Sequence, residues 1–155
     1  MRLLIFSAVI LGAVLATIPS AGAVGDLTRQ EPVLVKVELG TVEGAHKFEP
    51  NDLTFETGKL YKLVLTNPSK IKHYFTSPGL AARVFTRKVQ VVTDAGSLAE
   101  IKGHISEIEV YPGATAEWWF VPIATGKFND LHCHIKDSDG ETHAKKGMTG
   151  SITIN

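Results

Sequence analysis

A chain of 155 residues with 16 Lys+Arg against 16 Asp+Glu carries no formal net charge at pH 7. That balance gives no support to nucleic-acid binding, which needs a basic face. One cysteine, Cys133, excludes an internal disulfide.

Met1-Arg2 is a short positive start, and Leu3 to Ile18 is an almost unbroken apolar run. Pro19-Ser20 interrupts it, and Ala21-Gly22-Ala23 supplies the small-x-small pattern of a signal-peptidase site. Residues 1–23 are therefore expected to be a cleaved signal peptide, with the product periplasmic or secreted. Cleavage leaves residues 24–155, enough for one domain with a real core and a formal charge of −1. No later stretch approaches the roughly 20 apolar residues of a membrane span, so none is expected after cleavage.

The remainder reads as strands. Val33 to Leu39 alternates and is β-branched, bounded by Pro32 and Gly40. Phe48 to Phe55 carries a turn at Pro50-Asn51-Asp52, and Glu56-Thr57-Gly58-Lys59 marks another. Leu60 to Leu65 alternates again and stops at Asn67-Pro68-Ser69. Pro78 to Phe85 suits a short helix. Lys88–Thr93 and Ile105–Val110 are further strands, and Tyr111-Pro112-Gly113-Ala114 turns the chain into Thr115–Val121. Phe128–Cys133 and Ser151–Ile154 complete the set. About eight short strands separated by turn signals predict an all-β, Greek-key sandwich or barrel with one short helical segment.

The chemistry concentrates in Leu131-His132-Cys133-His134-Ile135 and, after Lys136 to Thr142, in His143-Ala144-Lys145-Lys146-Gly147-Met148. Thiolate and thioether are soft ligands, and imidazole suits copper in both oxidation states. Two His and one Cys with a weak axial Met is the donor set of blue-copper electron-transfer centres. Zinc seldom recruits a thioether. The second histidine must come from elsewhere, and His73, following the strand Leu60–Leu65 after a short turn, is the best candidate. Loops cluster at one end of a sandwich, so it can meet the loop between the last two strands.

Phe48-Glu49-Pro50, Leu53-Thr54-Phe55-Glu56-Thr57-Gly58, Asn67 and His73 resemble the first half of the cupredoxin family. Cys133, His143-x4-Met148, Gly150 and a closing strand resemble its second half. Glu117-Trp118-Trp119-Phe120-Val121-Pro122 is similar to segments of small bacterial cupredoxin-like proteins. The resemblance implies one type 1 copper held by His73, Cys133, His143 and Met148. It also implies electron transfer through an exposed edge of His143 to a periplasmic redox protein, with no small-molecule substrate and no enzyme activity. The alternatives are a copper carrier or scavenger that does not cycle, and a subunit of a copper oxidase or a nitrite-reductase-like enzyme.

Two departures accompany the resemblance. Nine residues separate Cys133 from His143, where the family has two to four, although copper nitrite reductases also have a long loop. Tyr74 stands where many members have an Asn that ties the ligand loops together. His132 and His134 resemble the segment linking two kinds of copper centre in multicopper oxidases, which makes them candidates for a second metal. Strand alternation points both away from Cys133. An EF-hand reading of Asp137-x-Asp139-Gly140 fails, because Lys146 falls where the bidentate Glu belongs. A Cys–His hydrolase lacks any Gly-rich oxyanion signal near Cys133.

Overall fold

The alternating segments form two stacked sheets in the computed structural model, which describes residues 30–155. The expected signal peptide, residues 1–23, lies outside the described residues. In chain order the strands are β1 (Val33–Leu39), β2 (Phe48–Glu49), β3 (Asp52–Phe55), β4 (Tyr61–Thr66), β5 (His73–Thr76), β6 (Val84–Thr93), β7 (Gly96–Ile101), β8 (Glu107–Val110), β9 (Thr115–Pro122), β10 (Gly126–His132) and β11 (Thr149–Ile154). A one-turn helix, α1 (Pro78–Ala81), joins β5 to β6. It is shorter than the predicted Pro78–Phe85 because β6 begins at Val84 and takes the rest.

One sheet runs β2-β1-β4-β9-β6-β7 and the other β3-β11-β10-β5-β8. β1 lies parallel to β4 and β3 parallel to β11, while the remaining pairs are antiparallel. This is the expected β-sandwich, with eleven strands among the described residues where about eight were predicted, the additions including the four-residue β5. β7 was not anticipated, for a physical reason. All its side chains are exposed, so no apolar alternation betrays it, and main-chain pairing to β6 holds it at the sheet edge.

Side chains at alternate positions build the core. Ala116, Trp118 and Phe120 of β9 point inward beside Tyr61, Leu63 and Leu65 of β4. The facing sheet contributes Phe55, Phe75, Leu131 and Ile152. Phe55 meets Tyr61 and Phe120 edge-on, with ring centroids 4.9 and 5.2 Å apart. Trp119 points outward and is flanked by the Lys62 and Lys88 ammonium groups at 5.3 and 5.0 Å from the ring centre.

The connections that matter meet at one end of the sandwich. They are the β1–β2 loop (40–47), the β4–β5 loop (67–72) and the β10–β11 loop (133–148). The last is anchored just before it begins. Asp130 on β10 accepts from the Ser77 hydroxyl and the Gly79 N–H at 2.6 Å each, clamping the strand to the cap of α1.

Removing the largest core side chain should be costly. Trp118→Ala is expected to lower unfolding free energy by about 3–5 kcal/mol. Phe85→Ala, at a side chain that is 62% exposed, should change it by less than about 0.5 kcal/mol. Urea unfolding of the two variants checks the contrast.

Candidate metal centre

His73 opens β5, Cys133 follows the last residue of β10, and Met148 immediately precedes β11. Strand ends are rigid platforms, so three of the four predicted ligands are placed by the sheet. His143 sits within the loop and is held through its backbone. Its N–H donates to Ile135 O at 2.8 Å and its carbonyl accepts from Met148 N–H at 2.9 Å. Cys133 N–H in turn donates to Met148 O at 3.2 Å. All four residues are shut off from solvent: His73 is 1% exposed, and Cys133, His143 and Met148 are 0%.

Three donor atoms converge. Nδ1 of His73 lies 3.1 Å from Nδ1 of His143, and Cys133 Sγ is 3.9 and 3.3 Å from the two nitrogens. Their neighbours set the protonation of both rings. Asn67 Nδ2 donates to Ile71 O and Val110 O, which turns its Oδ1 toward the Ser69 hydroxyl at 2.7 Å. Ser69 spends its proton there, so its oxygen accepts from His73 Nε2–H at 3.0 Å. On the other side, His143 Nε2 meets a carboxylate oxygen of Asp137 at 3.1 Å. An ionised carboxylate only accepts, so Nε2 of His143 also carries the proton. Both Nδ1 atoms are therefore bare lone pairs, facing each other across 3.1 Å in a buried space beside a sulfur. Two acceptors so placed repel one another unless a cation lies between them.

Electrostatics agree. Burial, reinforced by the neighbouring His143 and His46, drives the His73 pKa down to about 4, so its ring is neutral. Burial likewise lowers His143, opposed by its bond to Asp137. Burial raises the Cys133 thiol, while N–H groups of Tyr74 and Ile135 oppose the rise by donating to the sulfur. The Tyr74 bond is 3.3 Å long. Asp137 is held at about 2, chiefly by the Lys146 ammonium 2.7 Å away.

Glycine at position 40 makes this packing possible. A Cβ there would sit 2.5 Å from His73 Nε2, and the backbone has φ +75°. Any larger residue would push the imidazole off its Ser69 partner.

The structure adds two residues whose roles sequence reasoning passed over, Asp137 and His46. His46, in the β1–β2 loop, stacks on His143 with centroids 4.1 Å apart and planes 23° apart. Its Nε2 lies 3.0 Å from Asp137, and its Nδ1 is buried without a hydrogen-bond partner. Nitrogens of His46, His73 and His143 fall within 4.8 Å of one another. A metal lies in the plane of the imidazole that binds it, and two nearly parallel stacked planes meet far from either ring. As oriented, His46 and His143 do not share one metal, and His46 serves as a wall over His143. No local motif marks His46. Its only sequence signal is the step into Phe48-Glu49, which pairs with the end of β1 and so carries the preceding residues to the ligand end.

His143 thus has no exposed edge. The expectation of one fails because the long β10–β11 loop folds back and lays Asp137 and His46 over the ring. Position 74 keeps a tethering role in another form, since the Tyr74 ring packs 4.4 Å from that of His134 and bridges the two ligand segments. His132 and His134 lie on the outer face, as alternation requires, with rings 6.2 Å apart. His132 Nδ1 donates to Asp130 O at 2.7 Å, and His134 lies 3.7 Å from Glu107. Neither joins the three-histidine cluster, which is the group of metal-ligating side chains among the described residues.

No family model and no curated protein matches this chain. Solved structures do. A laccase from Pediococcus acidilactici superposes at TM-score 0.55 with 15% identity, covering 96% of this chain and 31% of the laccase. The McoA multicopper oxidase of Aquifex aeolicus gives 0.53 and 16%, covering 92% of this chain and 32% of its own. Auracyanin A, a blue copper protein of Chloroflexus aurantiacus, gives 0.46 and 15%, covering 81% and 100%. The chain spans about a third of the length of the oxidases it matches. The shared feature is the fold, which is cupredoxin-like. The donor set of two imidazoles, a thiol and a thioether fits type 1 copper.

Burying neutral His73 makes metal-free stability depend on pH. Between its ordinary value of 6.5 and about 4, the unfolded chain takes up a proton that the folded chain refuses. Stability from this group is therefore complete above pH 6.5 and is lost as pH falls to 4. The loss is about 3 kcal/mol at most. Denaturant unfolding of metal-free protein at pH 7 and pH 4.5 should show the decline, and His73→Gln should flatten it.

Proposed function

We propose that His73, Cys133, His143 and Met148 hold one type 1 copper ion, and that the chain is an exported electron-transfer protein serving a redox partner in the periplasm. The observation that carries this is the pair of bare Nδ1 atoms 3.1 Å apart beside Cys133 Sγ, each fixed by a proton committed to the far side of its ring. Copper bound there supplies a one-electron couple. Everything else falls to the protein.

A carrier of single electrons works best when its ligands hold one arrangement in both charge states. The Asn67–Ser69–His73 chain and the Asp137–His143 bond hold the imidazoles from behind, so neither ring can turn without breaking a buried hydrogen bond. Met148, the residue before β11, would supply the soft fourth donor, and its complete burial excludes water from that side. With four protein donors and no solvent access, no position stays open for a substrate, which favours a carrier over an enzyme. Catalytic metal sites keep one position free.

The same closure argues against facile handover of copper, the alternative role. Lys146 pins the loop by pairing with Asp137 at 2.7 Å and Asp139 at 2.6 Å, and the ligands lie beneath it. Docking would be small and transient, as redox encounters are. Among the described residues no helix is long and apolar enough to cross a membrane.

Copper titration and visible spectroscopy test the reading. One Cu(II) per chain should give an intense thiolate-to-copper band that disappears in Cys133→Ala, and voltammetry should show a reversible one-electron wave. A colourless Cu(II) protein would remove the type 1 assignment. Tight Cu(I) binding with no reversible wave would point to copper carriage.

A further inference from the structure

The nine residues between Cys133 and His143 carry a small, self-contained hairpin. Lys136 bridges Thr142, Asp137 N–H donates to Glu141 O at 2.9 Å, and Gly140 N–H donates to Asp137 O at 2.9 Å. Asp139 closes the tip by accepting from Glu141 N–H at 2.9 Å. Because the hairpin satisfies its own backbone, its side chains are free for other work, and one of them reaches back to the centre.

The Asp137 carboxylate makes three further contacts. Oδ1 accepts from His143 Nε2–H at 3.1 Å, and Oδ2 meets His46 Nε2 at 3.0 Å and Lys146 Nζ at 2.7 Å. A two-to-four-residue loop has no residue that can travel outward and return to the far nitrogen of its own histidine. Nine residues can. The long loop therefore places an anion behind the imidazole of its own histidine.

We infer that Asp137 is a positioning residue that sets the redox balance of the centre, with Lys146 as its counterweight. This rests on the copper reading above. A carboxylate behind a metal-bound histidine fixes the ring tautomer and makes its ligating nitrogen more basic. More basic nitrogen and a nearby negative charge both favour the more highly charged metal, so Asp137 stabilises Cu(II) over Cu(I). Lys146 opposes it by drawing the same carboxylate toward a cation. The Asp137 side chain is 24% exposed and that of Lys146 29%, so both charges are partly shielded from bulk solvent and salt.

The two charges make opposite predictions, which a merely structural role for the hairpin would not. Asp137→Asn keeps an acceptor for His143 Nε2–H but removes the charge. It should shift the Cu(II)/Cu(I) equilibrium about tenfold toward Cu(I), close to 59 mV upward for one electron. Lys146→Met keeps most of the stem and unmasks the carboxylate, so the potential should move down. Asp137→Glu should return part of the shift seen in Asp137→Asn. Protein-film voltammetry reads all three, alongside the visible spectrum of each variant.

Potentials that move in the same direction in Asp137→Asn and Lys146→Met, or in neither, while the thiolate-to-copper band is intact, overturn the inference and leave the copper reading standing. Absence of the band in the unmutated protein overturns the copper reading and the inference with it. A 15N spectrum of the metal-free protein gives a check that needs no copper. It should show the His143 proton on Nε2, and a proton on Nδ1 contradicts the proposal.

Discussion

Two imidazole nitrogens point at each other across 3.1 Å, and most of the surrounding structure exists to keep them that way. An imidazole left to itself turns its lone pair to whatever donor is near and exchanges tautomers freely. Here each ring is held from behind by a group that accepts a hydrogen bond from Nε2–H: the Ser69 hydroxyl for His73 and the Asp137 carboxylate for His143. Each acceptor is itself held. Asn67 fixes Ser69 through bonds to the buried carbonyls of Ile71 and Val110, and Lys146 fixes Asp137. The constraint reaches the backbone as well, since Gly40 must be glycine for β1 to end against the back of His73.

This arrangement divides the labour between fold and loop. The sandwich contributes positions: strand ends place His73, Cys133 and Met148 to within the tolerance of the sheet. The core that fixes those ends lies between the sheets, where Trp118, Phe120 and Phe55 interlock. The β10–β11 loop contributes His143 and then its environment. A structure that hid His143 by apolar packing alone would leave its Nε2–H buried and unpaired, at about 1–3 kcal/mol. Asp137 meets that proton while His46 covers the ring face, so complete burial of the ligand carries no unsatisfied donor on this ring.

The legibility of the site followed from chemistry that depends on residue type. Soft sulfur donors beside histidines on a loop before a closing strand are rare together, so Cys133, His143 and Met148 stood out in the sequence as candidate ligands, and His73 followed from the strand before it. The structure brings all four to one end of the sandwich. Alternation exposed the strands whose two faces differ, such as β4 and β9, and hid β7, whose faces do not. His46 and Asp137 were invisible for a different reason. Their roles arise from a fold-back of loops that neither periodicity nor motif encodes, and Asp137 read as one polar residue among several in an insertion. The exposed edge expected of His143 was lost for the same reason.

If the centre carries electrons as proposed, its closure changes how they must leave. If His143 were at the surface, its ring edge would be the natural exit, but it is covered. His46 stacks on that ring with centroids 4.1 Å apart, and its side chain is 15% exposed. An aromatic route from the centre toward water therefore runs from His143 to His46, beside a carboxylate whose charge Lys146 partly cancels. Approach of a partner to that surface would alter the solvation of Asp137 and Lys146 at the moment of contact. Desolvation strengthens both the ion pair and the hold of the carboxylate on His143. On the proposed reading, docking at that surface would couple to the charge balance behind His143 through Asp137 and Lys146, both of which the long β10–β11 loop supplies.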